Sequence, residues 1–281
     1  MTDALSGTDT RSERETFAAN RAAGRIVLRV GMREGVSRRT KVFEEGSLRV
    51  RFPDAGPDDL EAVIVNTSGG IAGGDQSAVD IAVEEGASLR VTTASAEKVY
   101  RSPEAEATMA VHLTVGQGAS LAWMPRETIL FDRSRLSRTI DIDLAEDSRL
   151  LLAEAVVFGR SGMKERVDEG WFSDRWRVRR AGRLVYAETI RLDGAIAETL
   201  REPAVTNNGV AIAIILLMPA DEAFVAALRR CEGLHGEVGA SSWNGMTAVR
   251  FCAPDGESLR EDLTTALGFA LAGPLPPLWV N

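Results

Sequence analysis

The side chains in this sequence best placed to do chemistry are carboxylates. Asp75 closes the stretch Asn66-Thr67-Ser68-Gly69-Gly70-Ile71-Ala72-Gly73-Gly74, Glu154 interrupts the apolar run from Leu150 to Phe158, and Glu188 interrupts Leu184 to Ile190. An acid inside an apolar strand must face solvent, find a donor or be held for a purpose, because burying it unpaired is costly. Taken singly, each reads most simply as a solvent-facing or arginine-paired side chain, with Arg160 and Arg126 as available partners. For Asp75 the simple reading is a cap that accepts backbone N–H bonds in its own turn. Two such acids could instead form an acid/base pair. With carbonyls and water they could also be weak oxygen ligands along a path for a divalent cation.

Other chemistries find less support. Gly69, Gly70, Gly73 and Gly74 give the loop unusual backbone freedom and allow close approach of another segment. The spacing Gly69-x4-Gly74 mimics a phosphate-binding loop, but Asp75-Gln76 stands where Lys and Ser or Thr are required, and a carboxylate there repels phosphate. Cys231 and His235 are four apart and would share a face on a continuing helix, yet Gly233 and Gly236 bracket them. The only other histidine and cysteine, His112 and Cys252, lie far away in sequence, so neither a Cys-rich zinc site nor a disulfide framework is expected. There is no G-x-S-x-G elbow for a serine nucleophile.

Composition narrows the class further. The 281 residues carry a formal charge of −8 and are 44% hydrophobic and 26% charged, which fits a globular chain and argues against nucleic acid as the main partner. Five arginines between Arg175 and Arg183 alternate with Trp176 and Val178 and read as the polar face of a strand. The longest apolar run, Val210 to Met218, has nine residues, under half of the ~20 that a spanning helix needs. Residues 1–16 are polar, mixed in charge and without the apolar core of a signal peptide, so a flexible tail on a cytoplasmic protein is expected.

The elements that must position these acids are strands. Ala78 to Glu84 alternates apolar and polar residues, turns at Glu85-Gly86-Ala87 and continues as Ser88 to Thr93. The same grammar recurs at Thr108–Val115, Gly116-Gln117-Gly118 and Ser120–Met124, and again from Thr139 through Ala145-Glu146-Asp147 to Phe158. Such units at this spacing predict a mainly β protein, either a sandwich or a helical stack of strands, over residues 17–205. Residues 206–281 change character to β-α-β-α. A buried strand Val210–Met218 precedes a helix within Asp221–Leu234, and a strand pair in Trp243–Cys252 precedes a second helix over Asp255–Ala272, with a capping box at Ser258 and Glu261. This part is expected to pack on the β-rich body.

Four blocks, in order, carry a resemblance. Ser68 to Asp75, Thr92 to Ser102, Leu121 to Phe131 and Phe158-Gly159-Arg160-Ser161-Gly162 resemble the successive blocks of the urease accessory protein UreD (UreH) family, and the likeness runs from about Arg21 to Trp279. The chain departs from the family pattern at Glu97, where Thr is usual, and at Pro276-Pro277-Leu278-Trp279, where Pro-Arg-x-Trp is usual. The resemblance implies a β-rich fold and a non-enzymatic scaffold that binds apo-urease. With UreF and UreG partners, such a scaffold supports nickel delivery into the urease active site. It implies no tightly bound cofactor, only nickel in transit. On that reading Asp75 and Glu188, with Glu154, line a transient nickel route, while Lys98, Tyr100, Arg101 and Arg160 orient the acids or touch a partner. A carboxylate-based enzyme acting on a small substrate and a passive adaptor without a metal route are the alternatives.

Overall fold

A computed structural model of the chain describes residues 21–53, 60–160, 163, 165–271 and 273–280. The expected tail at 1–16, the turn at 54–59 and the Ser161-Gly162 end of the fourth block lie outside the described residues.

Strands β1 (Ala23–Arg33), β2 (Val36–Gly46), β3 (Leu48–Arg51) and β4 (Glu61–Asn66) open the chain. Three coils of a stack follow, one for each strand-turn-strand unit of the sequence. The first is β5 (Gln76–Val83) and β6 (Ser88–Thr93), with a short β7 (Glu97–Val99) on the way back. The second is β8 (Ala107–Val115), β9 (Ser120–Trp123) and a short β10 (Thr128–Leu130). The third is β11 (Arg135–Leu144) and β12 (Arg149–Phe158). Strands β5, β8 and β11 pair in parallel in one sheet, and β6, β9 and β12 do so in the other.

The turns stack as well. Ala87 N–H donates to Glu84 O (3.1 Å), Ala119 N–H to Gly116 O (3.2 Å) and Ser148 N–H to Ala145 O (3.3 Å), the same four-residue bond in each coil. Successive coils therefore place like residues above one another. Ile81, Leu113 and Ile142 align with Val178 on one sheet, and Leu89, Leu121 and Leu150 with Met218 on the other. These rows face each other across the main core, where burial contributes about 25 cal/mol for each Å² of apolar surface removed from water.

Antiparallel strands close both ends. The long hairpin β13 (Glu169–Arg180) and β14 (Arg183–Ala195) turns at Ala181-Gly182 and leads into the short helix α1 (Ile196–Arg201). Arg175, Arg177 and Arg179 alternate with buried Trp176 and Val178 as expected, whereas Arg180 falls on the parity of Trp176 and Val178, next to a register shift, and donates to Ser148 O (3.5 Å). Then come β15 (Ala211–Met218), α2 (Glu222–Arg229), β16 (Glu237–Trp243), β17 (Met246–Ala253), α3 (Gly256–Ala270) and α4 (Pro277–Val280). The resulting sheets run β14-β13-β11-β8-β5-β1-β2 and β16-β17-β15-β12-β9-β6-β4-β3, with β10 pairing to both β12 and β7. The chain is mainly β, built as a helical stack of strands.

Helices α2, α3 and α4 cover the outer face of the second sheet, packing Phe224, Leu228, Leu263, Leu267 and Trp279 on Leu151, Ile215, Leu217 and Val249. Strands β12 and β15 are thus buried on both faces, which is why they read as near-continuous apolar runs. The cap of α3 differs from the expected Ser258–Glu261 box. Asp255 takes the N-cap position, accepting from Ser258 N–H (2.8 Å), so Ser258 is the residue capped and not the cap. Among the described residues, no helix is long and apolar enough to cross a membrane.

Candidate functional site

The glycine loop carries the chain from β4 in one sheet to β5 in the other. Ile71 forms the first rung of a short third ladder, whose parallel partners are Val99, Leu130 and Phe158. Ile71 N–H donates to Lys98 O (2.7 Å) and Tyr100 N–H to Ile71 O (2.8 Å). The phenol of Tyr100 donates to Gly69 O (2.8 Å), and its ring meets Phe131 edge-on. Glycine is required where the walls are closest. A Cβ on Gly73 would sit 2.0 Å from Ser102 Oγ, and one on Gly70, at φ 145°, would sit 2.5 Å from the Tyr100 ring.

Asp75 fastens this loop. Its Oδ1 accepts from Ala22 N–H and its Oδ2 from Ala72 N–H, both at 2.8 Å. One carboxylate therefore ties the start of β1 to the loop before β5 and still lines the cavity behind it. Of the further candidates, Lys98 is exposed with its carbonyl inside the ladder, and Arg101 bridges to Ser134. Arg160 donates through Nε to Glu165 (2.5 Å) and lies 4.0 Å over the Phe131 ring. These residues brace the loop side of the stack.

Behind the loop lies a chamber of about 70 Å³, with Asn66, Asp75, Glu97, Trp123, Arg138 and Glu154 among its lining residues. A cleft of about 170 Å³ adjoins it and shares Asn66, Gly70, Thr93 and Glu97. Asn66 Nδ2 donates to both Glu97 oxygens at 3.1 Å. Burial pushes the Glu97 carboxyl up to about 7, against the opposing pull of the Asn66 amide and the Lys98 N–H, and neighbouring Asp75 adds to the rise. Glu97 is thus poised to exchange a proton near neutrality.

Deeper in, Glu154 meets Arg138, and not the Arg160 or Arg126 that its sequence surroundings suggested. Arg138 lies on the inward face of β11, directly beside Asp174 on β13, while Glu154 faces both from β12 of the opposite sheet. The guanidinium donates through NH1 to Glu154 Oε2 (2.5 Å). It also donates through Nε (3.0 Å) and NH2 (2.6 Å) to Asp174. Trp123 Nε1–H donates to Glu154 Oε1 (2.7 Å). All three charged residues are at most 4% exposed. Burial opposes the Arg138 charge, but Asp174 and Glu154 together raise its pKa, so it remains a guanidinium. Burial also lifts Glu154, further than its single contact with Arg138 pulls it down.

A second chamber of about 500 Å³ opens on the far side, lined by Asp174, Glu188, Glu237, Arg250 and Cys252 together with Arg138 and Glu154. Glu188 projects inward beside Trp176, accepting from Arg250 NH2 (2.8 Å) and from the Tyr186 hydroxyl. Burial and the Glu188 carboxylate raise the Tyr186 pKa, so the phenol keeps its proton. Cys252 donates to Thr206 O (3.2 Å), and burial raises its thiol pKa, disfavouring a thiolate.

The arrangement joins what lies far apart in sequence. Asp75 lines the first chamber, Glu188 the second, and Glu154 the wall common to both. Reading the sequence missed Arg138 and Asp174, and singled out Glu97 only as a departure from the family pattern. A signal for the first two was present, since Leu136-x-Arg138-x-Ile140 and Phe172-x-Asp174-x-Trp176 each put one charge on the apolar parity of a strand. Among the described residues, no three His, Cys, Asp or Glu side chains converge to hold a metal ion. Cys231 lies just beyond α2, and His235 pairs with Glu261 at 2.7 Å.

Comparison with known proteins shows the family. The family model described as UreD urease accessory protein matches residues 22–277. A urease accessory protein UreD 3 of Bradyrhizobium sp. (strain BTAi1) is 52% identical over 268 residues, covering 95% of this chain and 96% of the relative. A urease accessory protein UreD of Rhodopseudomonas palustris (strain BisA53) is 52% identical over 273 residues, covering 97% and 95%. Matched along nearly all of its length by relatives at this identity, the chain belongs to the UreD family of urease accessory proteins.

Proposed function

We propose that this chain is a non-enzymatic scaffold of urease maturation, working in the cytoplasm. It binds apo-urease and, with UreF and UreG partners, supports passage of nickel toward the urease active site. The observation that carries the reading is the pair of chambers sharing Arg138 and Glu154, largely apolar in lining but holding Asp75 on one side and Glu188 on the other. Carboxylates spaced singly along a path suit a cation in transit. Oxygen ligands offered one at a time hold nickel weakly, whereas a His or Cys cluster would retain it. Asp75 spends both oxygens on backbone N–H groups and shapes the first chamber, while Glu154 and Glu188, and Glu97 when deprotonated, present the charge that a cation would meet.

Reconstitution tests this. Apo-urease is incubated with nickel, GTP and the partner proteins, with and without this chain. The reading predicts that omission abolishes activation, that the chain co-purifies with the partners and that alone it turns over no substrate. Full activation without the chain overturns the reading.

A further inference from the structure

Among the described residues, the two chambers have only Arg138 and Glu154 in common. On the route proposed above, passage from one to the other runs past their ion pair. The pair is lopsided. Arg138 makes two hydrogen bonds to Asp174, its neighbour across the β11–β13 pairing, and one to Glu154 on the opposite sheet. Bidentate carboxylate pairing fixes a guanidinium more firmly than a single bond does. The freed N–H would not be stranded, because Thr128 Oγ1 already lies 3.4 Å from NH1. On the other side Glu154 keeps Trp123 on Oε1, so Oε2 alone is surrendered when Arg138 moves.

Resting on the reading of the chambers as a route, we propose that Arg138 is a bar between them, which a divalent cation lifts from Glu154 while Asp174 keeps hold of the guanidinium. Charge makes the exchange selective. With Glu154 ionised, one guanidinium between two carboxylates leaves the wall one unit negative, so a divalent ion at Glu154 Oε2 replaces a shared single charge by a double one. A monovalent ion offers Glu154 no more charge than the guanidinium it would displace and leaves the bar in place. Removing the bar outright is costly, since a buried pair that loses one partner leaves an uncompensated charge. The fold thus tolerates the swing but not the loss, and Arg138 acts as a positioning residue for Glu154.

The test uses the full activation complex and reads two quantities, the nickel concentration giving half-maximal activation and the maximal urease activity reached. In Arg138→Lys, an ammonium without the planar fork cannot grip Asp174 twice and reach Glu154 as well. The half-maximal nickel concentration is expected to fall by about tenfold, the equivalent of one charge-assisted hydrogen bond. In Asp174→Asn the anchor loses its charge and Arg138 commits to Glu154, so the same quantity is expected to rise by about as much. A purely structural ion pair would lower maximal activity in both variants and move the half-maximal concentration in neither. Shifts in one direction, or none, overturn the bar.

Should either variant misfold, the fluorescence of Trp123 decides the matter. Nickel arriving at Glu154 must quench Trp123, whose indole N–H rests on that carboxylate. Nickel titration of the full chain should therefore show a quenching component that is absent in Trp123→Phe and unaffected by excess sodium. Absence of that component overturns the proposal. If Glu188→Gln abolishes activation while neither wall variant shifts the nickel dependence, the route stands and the bar falls. If none of these variants changes activation, both fall.

Discussion

Asp75 is an architectural residue first. Both of its oxygens accept backbone N–H groups from segments 53 and three residues away, so its first duty is to hold the loop. Asp75→Ala would strand both donors and is expected to cost roughly 2–4 kcal/mol of stability, while Asp75→Asn, which keeps an acceptor, costs less. Thermal unfolding of the two variants checks the order. Glu97 makes a different prediction, about pH. Its carboxyl is held at about 7 when folded, against 4.5 as its ordinary value, chiefly by burial. The folded state therefore binds this proton more tightly than the unfolded chain does. The Glu97 contribution is fully favourable below about pH 4.5 and is lost as pH rises through about 7. Glu97→Gln should remove that decline, seen as a flatter Tm-against-pH curve between these values. An equally steep curve would show that Glu97 does not titrate there.

Elements rather than residues were the legible part of the sequence. Period-two alternation and three glycine- or acid-rich turns identify the coils correctly because each strand has one face on the inter-sheet core. The pairing of Arg138 with Asp174 and Glu154 was not legible. It depends on which coil stacks on which and on the separation of the sheets, and no local pattern encodes either. The α3 cap was misplaced by three residues for a local reason: Asp255, at the end of the β17 turn, competes with Ser258 for the cap and accepts bonds from both its N–H and its hydroxyl. The glycine loop yields a sharper test. In Gly73→Ala the new methyl meets Ser102 and the backbone oxygen of Ala105, at 2.5 Å, neither of which can retreat. A loss of about 1–3 kcal/mol is expected, as for other overpacked sites, read from the denaturation midpoint at constant m.

The C-terminal residues tie the elements into the whole. Trp279 is 3% exposed, donates to Met124 O (3.0 Å) and packs under the second sheet, while Arg126 donates to Leu278 O and lies 5.8 Å from the Trp279 ring. Pro277 stands in this ending, and Arg126 reaches the tryptophan from the body of the fold. Trp279→Ala should cost about 3–5 kcal/mol, as other large buried aromatics do, and release the segment to protease. Because β15 pairs with β12 along eight residues, these last elements and the coils share one sheet. Loosening the end would therefore be felt at Glu154, which sits in that pairing opposite Ile214.

At the scale of the molecule, the proposed route uses two cavities that share Arg138 and Glu154 and hold Asp75 on one side and Glu188 on the other. Glu188 tests this most directly. It stands in the second chamber, away from the loop that Asp75 holds, and Glu188→Gln keeps an acceptor for Arg250 and Tyr186. Nickel incorporated into urease should be measured with complexes carrying this substitution, under limiting nickel. The account predicts that the complex assembles and unfolds as the unaltered one does while the initial rate of incorporation falls by about tenfold, the scale of one lost charge contact. Nickel incorporated at the unaltered rate would contradict it.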